Sequence, residues 1–159
     1  GVYYRDLVLP NAAEHDMNPL YLLSVIRQES LFEPFATSGV GAQGLMQIMP
    51  ATGQEIFVLN NWPNNYDQAD LSRPNVSIVY GTQYLARQRD YFNGSPFWAL
   101  AAYNGGPGNT IAWSQLAGDD PDLLLEVIRP EETRNYIRQI FEFYSIYKLL
   151  YIDVSASEN

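Results

Sequence analysis

Three times in this chain a residue type that caps helices stands immediately before a proline: Asn18–Pro19, Ser95–Pro96 and Asp120–Pro121. Proline has no amide hydrogen and a fixed φ, so it suits the first helical turn, whose free amides the preceding side chain can satisfy. This punctuation restricts the chain to a succession of helices with marked starts. Apolar residues agree. They recur at helical spacing in Leu22, Val25 and Ile26, in Ile78, Tyr80, Tyr84 and Leu85, and in Tyr136, Ile137, Ile140, Tyr144, Tyr147 and Tyr151. Few strand signals compete, so the expected class is all-α. About eight helices are expected, near residues 2–15, 19–30, 50–59, 74–92, 96–104, 107–116, 121–127 and 131–151.

Two segments fall between helices and carry information. Phe35 to Gln47 contains Gly39, Gly41 and Gly44, which free the backbone for positive φ and for close approach by another chain. Asn60 to Pro74 is rich in Asn and Pro, and its Trp62 and Tyr66 read either as loop anchors or as sugar platforms. With 159 residues, 47% of them hydrophobic, the chain suffices for one cored domain. That domain is expected over residues 1–153, with a small, polar tail at 154–159 that frays. The most apolar stretch, Ile137 to Tyr151, is interrupted by Arg138, Gln139, Glu142 and Lys148, too polar for a membrane span. Residues 1–20 show no basic start followed by an apolar run, so no signal peptide is legible, and a trimmed or mature fragment is expected.

Composition excludes several chemistries. There is no cysteine, hence no disulfide scaffold and no thiolate nucleophile or metal site. The single histidine, His15, sits between Glu14 and Asp16 and reads as a solvated residue at a helix end, which disfavours a histidine-dependent triad. A net charge of −9 argues against a nucleic-acid partner, because phosphate binding needs a basic face. Seven Phe, three Trp and twelve Tyr supply rings that could grip a glycan by stacking, although helical aromatics also build cores.

Glu29 is the residue that helical spacing singles out. It follows Val25 by four positions and Ile26 by three, which places a carboxyl on their apolar face. Partial burial there disfavours the ionised form and raises the pKa, making a glutamate into a general acid near neutral pH. A helix-end ion pair with Arg27, or a cap on the following loop, explains the same residue without any chemistry.

The neighbourhood of Glu29 resembles a known family. Arg27-Gln28-Glu29-Ser30, the run Ser38 to Pro50 with its Gly44-Leu45-Met46-Gln47, Ala102-Tyr103-Asn104-Gly105-Gly106-Pro107-Gly108, and Glu132-Thr133-Arg134-Asn135-Tyr136 stand in the order found in soluble lytic transglycosylases. These are relatives of goose-type lysozyme in family 23 of the glycoside hydrolases. Leu71 to Leu85 is similar to the family's long central helix. The resemblance implies a lysozyme-like, goose-type helical domain with a substrate cleft. It also implies a peptidoglycan lytic transglycosylase in which Glu29 is the catalytic residue and Ser38, Gly44, Met46, Gln47, Tyr103, Asn104 and Glu132 bind substrate. Tyr103 would stand near the glutamate, Asn104 would line or brace the cleft wall, and Leu45 and Ile48 would be core. Glu132 also fits a simple first-turn acid favoured by the helix dipole. The chain departs from the family between Glu126 and Glu132, where an Ile-Pro-aromatic step is more usual.

Ordinary glycosidases use two carboxylates, roughly 5 to 9.5 Å apart depending on stereochemistry. Glu29 has no evident partner in the matched motifs; Glu33, Asp67 and Asp70 coincide with no family position. The resemblance implies instead that the N-acetyl group of N-acetylmuramic acid acts as nucleophile. Glu29 would serve as acid and then base, leaving a 1,6-anhydro end at the β-1,4 bond to N-acetylglucosamine. No metal or organic cofactor is expected. The expected partner is the peptidoglycan glycan strand, with no nucleic acid, and the expected state is a monomer outside the cytoplasm. Two rivals remain: a hydrolytic goose-type lysozyme, and a catalytically silent glycan-binding module.

Overall fold

The structure, a computed structural model, describes residues 4–118 and 120–156. Proline opens most of its helices. Among the described residues there are seven α-helices: α1 Arg5–Glu14, α2 Pro19–Ser30, α3 Pro50–Asn60, α4 Pro74–Tyr91, α5 Pro96–Gly105, α6 Pro107–Ala117 and α7 Glu131–Ala156. The two caps read from sequence for α2 and α5 form as expected: Asn18 accepts from the Leu20 amide at 2.9 Å and Ser95 from the Trp98 amide at 3.2 Å. Short 3-10 turns cover Gln68–Ser72 and Pro121–Leu123, and no strand is present among the described residues, only isolated antiparallel bridges.

Three boundaries differ from expectation. The helix expected at 121–127 is one 3-10 turn followed by irregular chain. Asp120 does cap it, through the Asp122 amide. Pro130, however, disfavours helical backbone at Arg129, and the interval is too short for cooperative helix growth. At the other end α7 runs on to Ala156, past the expected tail start, while residues 157–159 lie outside the described set. The first helix begins at Arg5, and residues 2 and 3, expected in it, also lie outside.

The core is organised around α5. Trp98, Ala99, Leu100, Ala101 and Ala102 are all buried, and α4, α6 and α7 pack around them. The small alanines admit neighbours on every side, so this helix is apolar all round, as an interior helix must be. Along a second seam, Leu22, Val25 and Ile26 of α2 join Tyr136, Ile137 and Ile140 of α7 in the same buried core.

Between α2 and α3 the glycine-bearing loop is clamped from two sides. Ser30 Oγ donates to the Leu45 carbonyl at 2.9 Å, and Ser77 Oγ of α4 accepts from the Met46 amide at 3.1 Å. Gly44, at φ 81, lies against α4 and the preceding 3-10 turn; a Cβ there would collide with the Leu71 carbonyl and stand 2.7 Å from Ser77 Oγ. The Asn-rich loop is anchored by its aromatics. Tyr66 stacks on Phe57 at 5.1 Å, and the Trp62 ring meets Tyr80 edge-to-face at 6.3 Å while its carbonyl accepts from Tyr80 Oη at 2.6 Å. Of the two readings offered for these rings, anchoring is the one their contacts show.

Candidate active site

Glu29 occupies the last turn of α2, which Leu31 ends by turning left-handed at φ 52. The residues three and four positions earlier, Ile26 and Val25, are fully buried, so the carboxyl stands where the α2 core face meets α7. Burial pushes the Glu29 pKa up to about 7, opposed by a hydrogen bond from Tyr136. Tyr136 Oη donates to Glu29 Oε1 at 2.5 Å. Arg27, the ion-pair partner of the competing reading, is engaged elsewhere: its guanidinium lies 4.3 Å from the centre of the Phe143 ring. Among the described residues no cation contributes to the Glu29 shift, whose causes are burial and Tyr136.

Two tyrosines frame this acid and differ in what they bond. Burial, then the nearby Glu29 charge, raises the pKa of Tyr103 and of Tyr136 well above the ordinary phenol, so both retain their protons as donors. Tyr103 was the residue expected near the glutamate. It does line the same cavity, but its proton goes to the Met46 carbonyl at 2.7 Å. The donor to Glu29 is Tyr136, which the sequence places on an apolar helix face and at the end of the Glu132–Tyr136 motif, with no site role attached. The signal for it was weak: Tyr136 lies one residue before Ile137 and four before Ile140, on the face that meets α2, and only the pairing of α2 with α7 makes that face the one opposite Glu29.

The cavity beside Glu29 measures about 230 Å³ and is lined by Glu29, Ser38, Gln47, Tyr103, Asn104 and Glu132, among others. A second, of about 210 Å³, shares Gln47, Met49, Tyr103 and Asn104 with it and adds Thr52, Tyr84 and Gly106. The two make one groove between the clamped loop and the C-terminal end of α5. Ser38 serves a turn as well as the groove wall, its Oγ accepting from the Ala42 amide at 3.0 Å. Gln47 adopts a left-handed φ of 48 and spends its amide Nε2 on the Ala36 and Gly44 carbonyls, at 3.0 and 2.9 Å. Both of those partners are acceptors, so the amide orientation is determined and its carbonyl is the function left for a ligand. Asn104 is half-buried, and its side chain makes no hydrogen bond among the described residues. Glu132 is exposed in the first turn of α7.

Gly44 and Met46 do not belong to the groove surface. Met46 has no exposed surface and Gly44 is buried against Leu71; both support the loop from beneath, and the Met46 carbonyl reaches the site only as the acceptor for Tyr103. Leu45 and Ile48 are core. The carboxylates considered as second acids are elsewhere. Asp67 and Asp70 cap the Gln68–Ser72 turn reciprocally, Asp70 held below the usual carboxylate range by the Asp67 amide and by Arg73, and Glu33 is exposed off the groove. The second carboxylate in the cavity is Glu132. Among the described residues no three His, Asp or Glu gather closely enough to hold a metal ion, and His15 caps the end of α1.

Residues 6–125 match the model of the Transglycosylase SLT domain. The chain is 34% identical over 147 residues to the soluble lytic murein transglycosylase of Salmonella typhimurium, covering 91% of this chain and 23% of that protein. It is 30% identical over 158 residues to the membrane-bound lytic murein transglycosylase C of Actinobacillus pleuropneumoniae, covering 86% and 43%. Among solved structures it is similar to an inactive glutamate-to-glutamine mutant of the lytic transglycosylase Slt from Pseudomonas aeruginosa, with a TM-score of 0.82, 34% identity and coverage of 92% and 24%. It is also similar to the 70-kDa soluble lytic transglycosylase of Escherichia coli, with a TM-score of 0.87, 30% identity and coverage of 94% and 25%. That fold is lysozyme-like, and this chain shares it. The chain spans about a quarter of the length of these soluble relatives.

Proposed function

The chain belongs to the transglycosylase SLT domain family, and from that premise we propose that it is a peptidoglycan lytic transglycosylase. It cuts the β-1,4 bond between N-acetylmuramic acid and N-acetylglucosamine and leaves a 1,6-anhydro end. The observation that carries this reading is Glu29: a desolvated carboxyl with a pKa near 7, hydrogen-bonded to Tyr136, with no second carboxyl buried beside it among the described residues. That is the state required of one group that must first give a proton and then take one back.

Protonated Glu29 delivers its proton to the glycosidic oxygen, which leaves as the N-acetylglucosamine hydroxyl. The N-acetyl carbonyl of the muramic residue forms the new bond at the anomeric carbon as the old one breaks. Tyr136 Oη, already pointed at Oε1, stabilises the carboxylate that proton transfer creates. The sugar's C6 hydroxyl then attacks the anomeric carbon, the N-acetyl group is released, and Glu29 accepts the hydroxyl proton. Ser38, Gln47, Asn104 and Glu132 hold the strand along the groove, and Tyr103 shapes it while fixing the loop through Met46. A relative in which one glutamate is replaced by glutamine is inactive, which supports an indispensable glutamate.

Peptidoglycan lies outside the cytoplasmic membrane, so the domain acts there. Among its described residues no helix is long and apolar enough to cross a membrane. Mass spectrometry of digested sacculi tests the assignment. Anhydro ends, one water lighter than reducing ends, are expected; reducing ends would make it a hydrolytic lysozyme. Unchanged clearance of sacculi by Glu29→Gln would remove the catalytic role altogether.

A further inference from the structure

A cavity of about 560 Å³, more than twice either half of the groove, opens at the other end of α5. Its walls are the C-terminal end of α4, the turn into α5 and the outer half of α6, with Tyr91, Asn93, Ser95, Trp98, Ser114 and Gln115 in its lining. Nine residues of helix separate Ser95 from Asn104, roughly 14 Å along the axis at the usual rise. The two sites are thus distinct, and they share no lining residue.

The chemistry of this lining is specific. Tyr91 is 63% exposed, yet its ring is propped edge-to-face on the buried Phe92 at 5.0 Å. A bare aromatic face held in place loses little entropy when a ligand covers it. Asn93 and Gln115 are exposed, and their side-chain amides make no hydrogen bond among the described residues. Ser95 Oγ accepts from the Trp98 amide and so keeps its hydrogen to give; Ser114 Oγ donates to the Ile111 carbonyl and so keeps lone pairs to accept. Among the described residues no charged side chain lines the cavity. An anionic phosphate or a nucleotide would find no cation here, in a chain whose net charge is −9. Neutral donors and acceptors around an aromatic face fit a neutral sugar, whose C–H face lies on the ring while its hydroxyls and acetamido group meet the amides.

We infer that this cavity is a second glycan-binding site, taking an N-acetylhexosamine of the strand and holding the enzyme on the insoluble wall between cuts. The identity of that polymer rests on the function proposed above; the cavity and its chemistry do not depend on Glu29.

The test titrates isotopically labelled Glu29→Gln protein with a soluble N-acetylglucosamine oligomer and follows the side-chain amide resonances. Saturable shifts are expected at Asn93 and Gln115 as well as at Gln47 and Asn104. Tyr91→Ala should weaken binding at the first pair about fivefold, as loss of one stacked ring would, and leave the second pair unchanged. With Glu29 intact, the same variant should be retained on sacculi several-fold less while turning over soluble fragments normally. Asn93 and Gln115 resonances that stay still, or that shift equally with and without the Tyr91 ring, would overturn the inference. Shifts at Asn93 and Gln115 in a protein whose Glu29 proves dispensable would uphold this site and sink the proposed reaction instead.

Discussion

The two ends of α5 carry the same residue types, tyrosines and side-chain amides, in opposite relations to water. At the C-terminal end Tyr103 and Asn104 stand beside Glu29, the phenols of Tyr103 and Tyr136 are desolvated, and each phenol proton has one internal acceptor. At the N-terminal end Tyr91, Asn93 and Gln115 face solvent. Exclusion of water is what separates them. It raises a carboxyl to about 7 and aims a phenol at it. Where the groups stay exposed, as at Tyr91, Asn93 and Gln115, they present faces and amides to a ligand and no buried acid.

The largest effect that separates the ends should come from Glu29→Gln. Turnover of sacculi should fall by at least about 10³-fold, the scale of a lost general acid and base, while binding persists. The same variant tests the burial directly. Because the folded pKa lies near 7, above the ordinary 4.5, the stabilisation from the protonated carboxyl is complete below pH 4.5 and is lost as pH rises through 7. That loss amounts to up to about 3 kcal/mol. Glu29→Gln should abolish the slope, so its melting temperature should gain on the parent between pH 5 and pH 8; parallel curves would mean that water reaches the carboxyl.

Gly44→Ala attacks the dry end through its support. A Cβ at a positive φ against the Leu71 carbonyl should cost about 2 to 4 kcal/mol in denaturant unfolding. A change near zero would show that the loop is not clamped against α4. Tyr136→Phe is subtler. The hydrogen bond from Tyr136 lowers the Glu29 pKa, so its loss should move the alkaline limb of kcat/KM to higher pH and reduce the rate about tenfold. An unmoved limb would assign Tyr136 to packing alone. At the wet end Gln115→Ala should change stability by less than about 0.5 kcal/mol and leave turnover of soluble fragments intact. A larger loss would mean that the two ends are less separate than their exposures show.

Much of the fold was legible because its signals are local. Proline at a first helical turn acts on its own backbone, and α2 to α6 begin at Pro19, Pro50, Pro74, Pro96 and Pro107. The segment 121–127 misled because its start was sound while Pro130 left it no room to continue. Within the site, Glu29, Ser38, Gln47, Tyr103, Asn104 and Glu132 were drawn from motifs, and the structure gathers them around one cavity. Gly44 and Met46 came from the same motif and lie beneath it, since a motif preserves supports and surface alike. Spacing left Trp62 and Tyr66 open between anchor and platform, and the choice rested on Phe57 and Tyr80, which only folding brings near.

By itself the sequence determined the helical class, where most helices start, and that one glutamate sits on an apolar helix face. These follow from interactions within a few residues. Tertiary structure alone decided that α7 lies against α2, which sets Tyr136 on Glu29, sends Arg27 to Phe143, and desolvates the carboxyl. Acidity depends on everything within a few ångströms, and most of what surrounds Glu29 lies far from it along the chain.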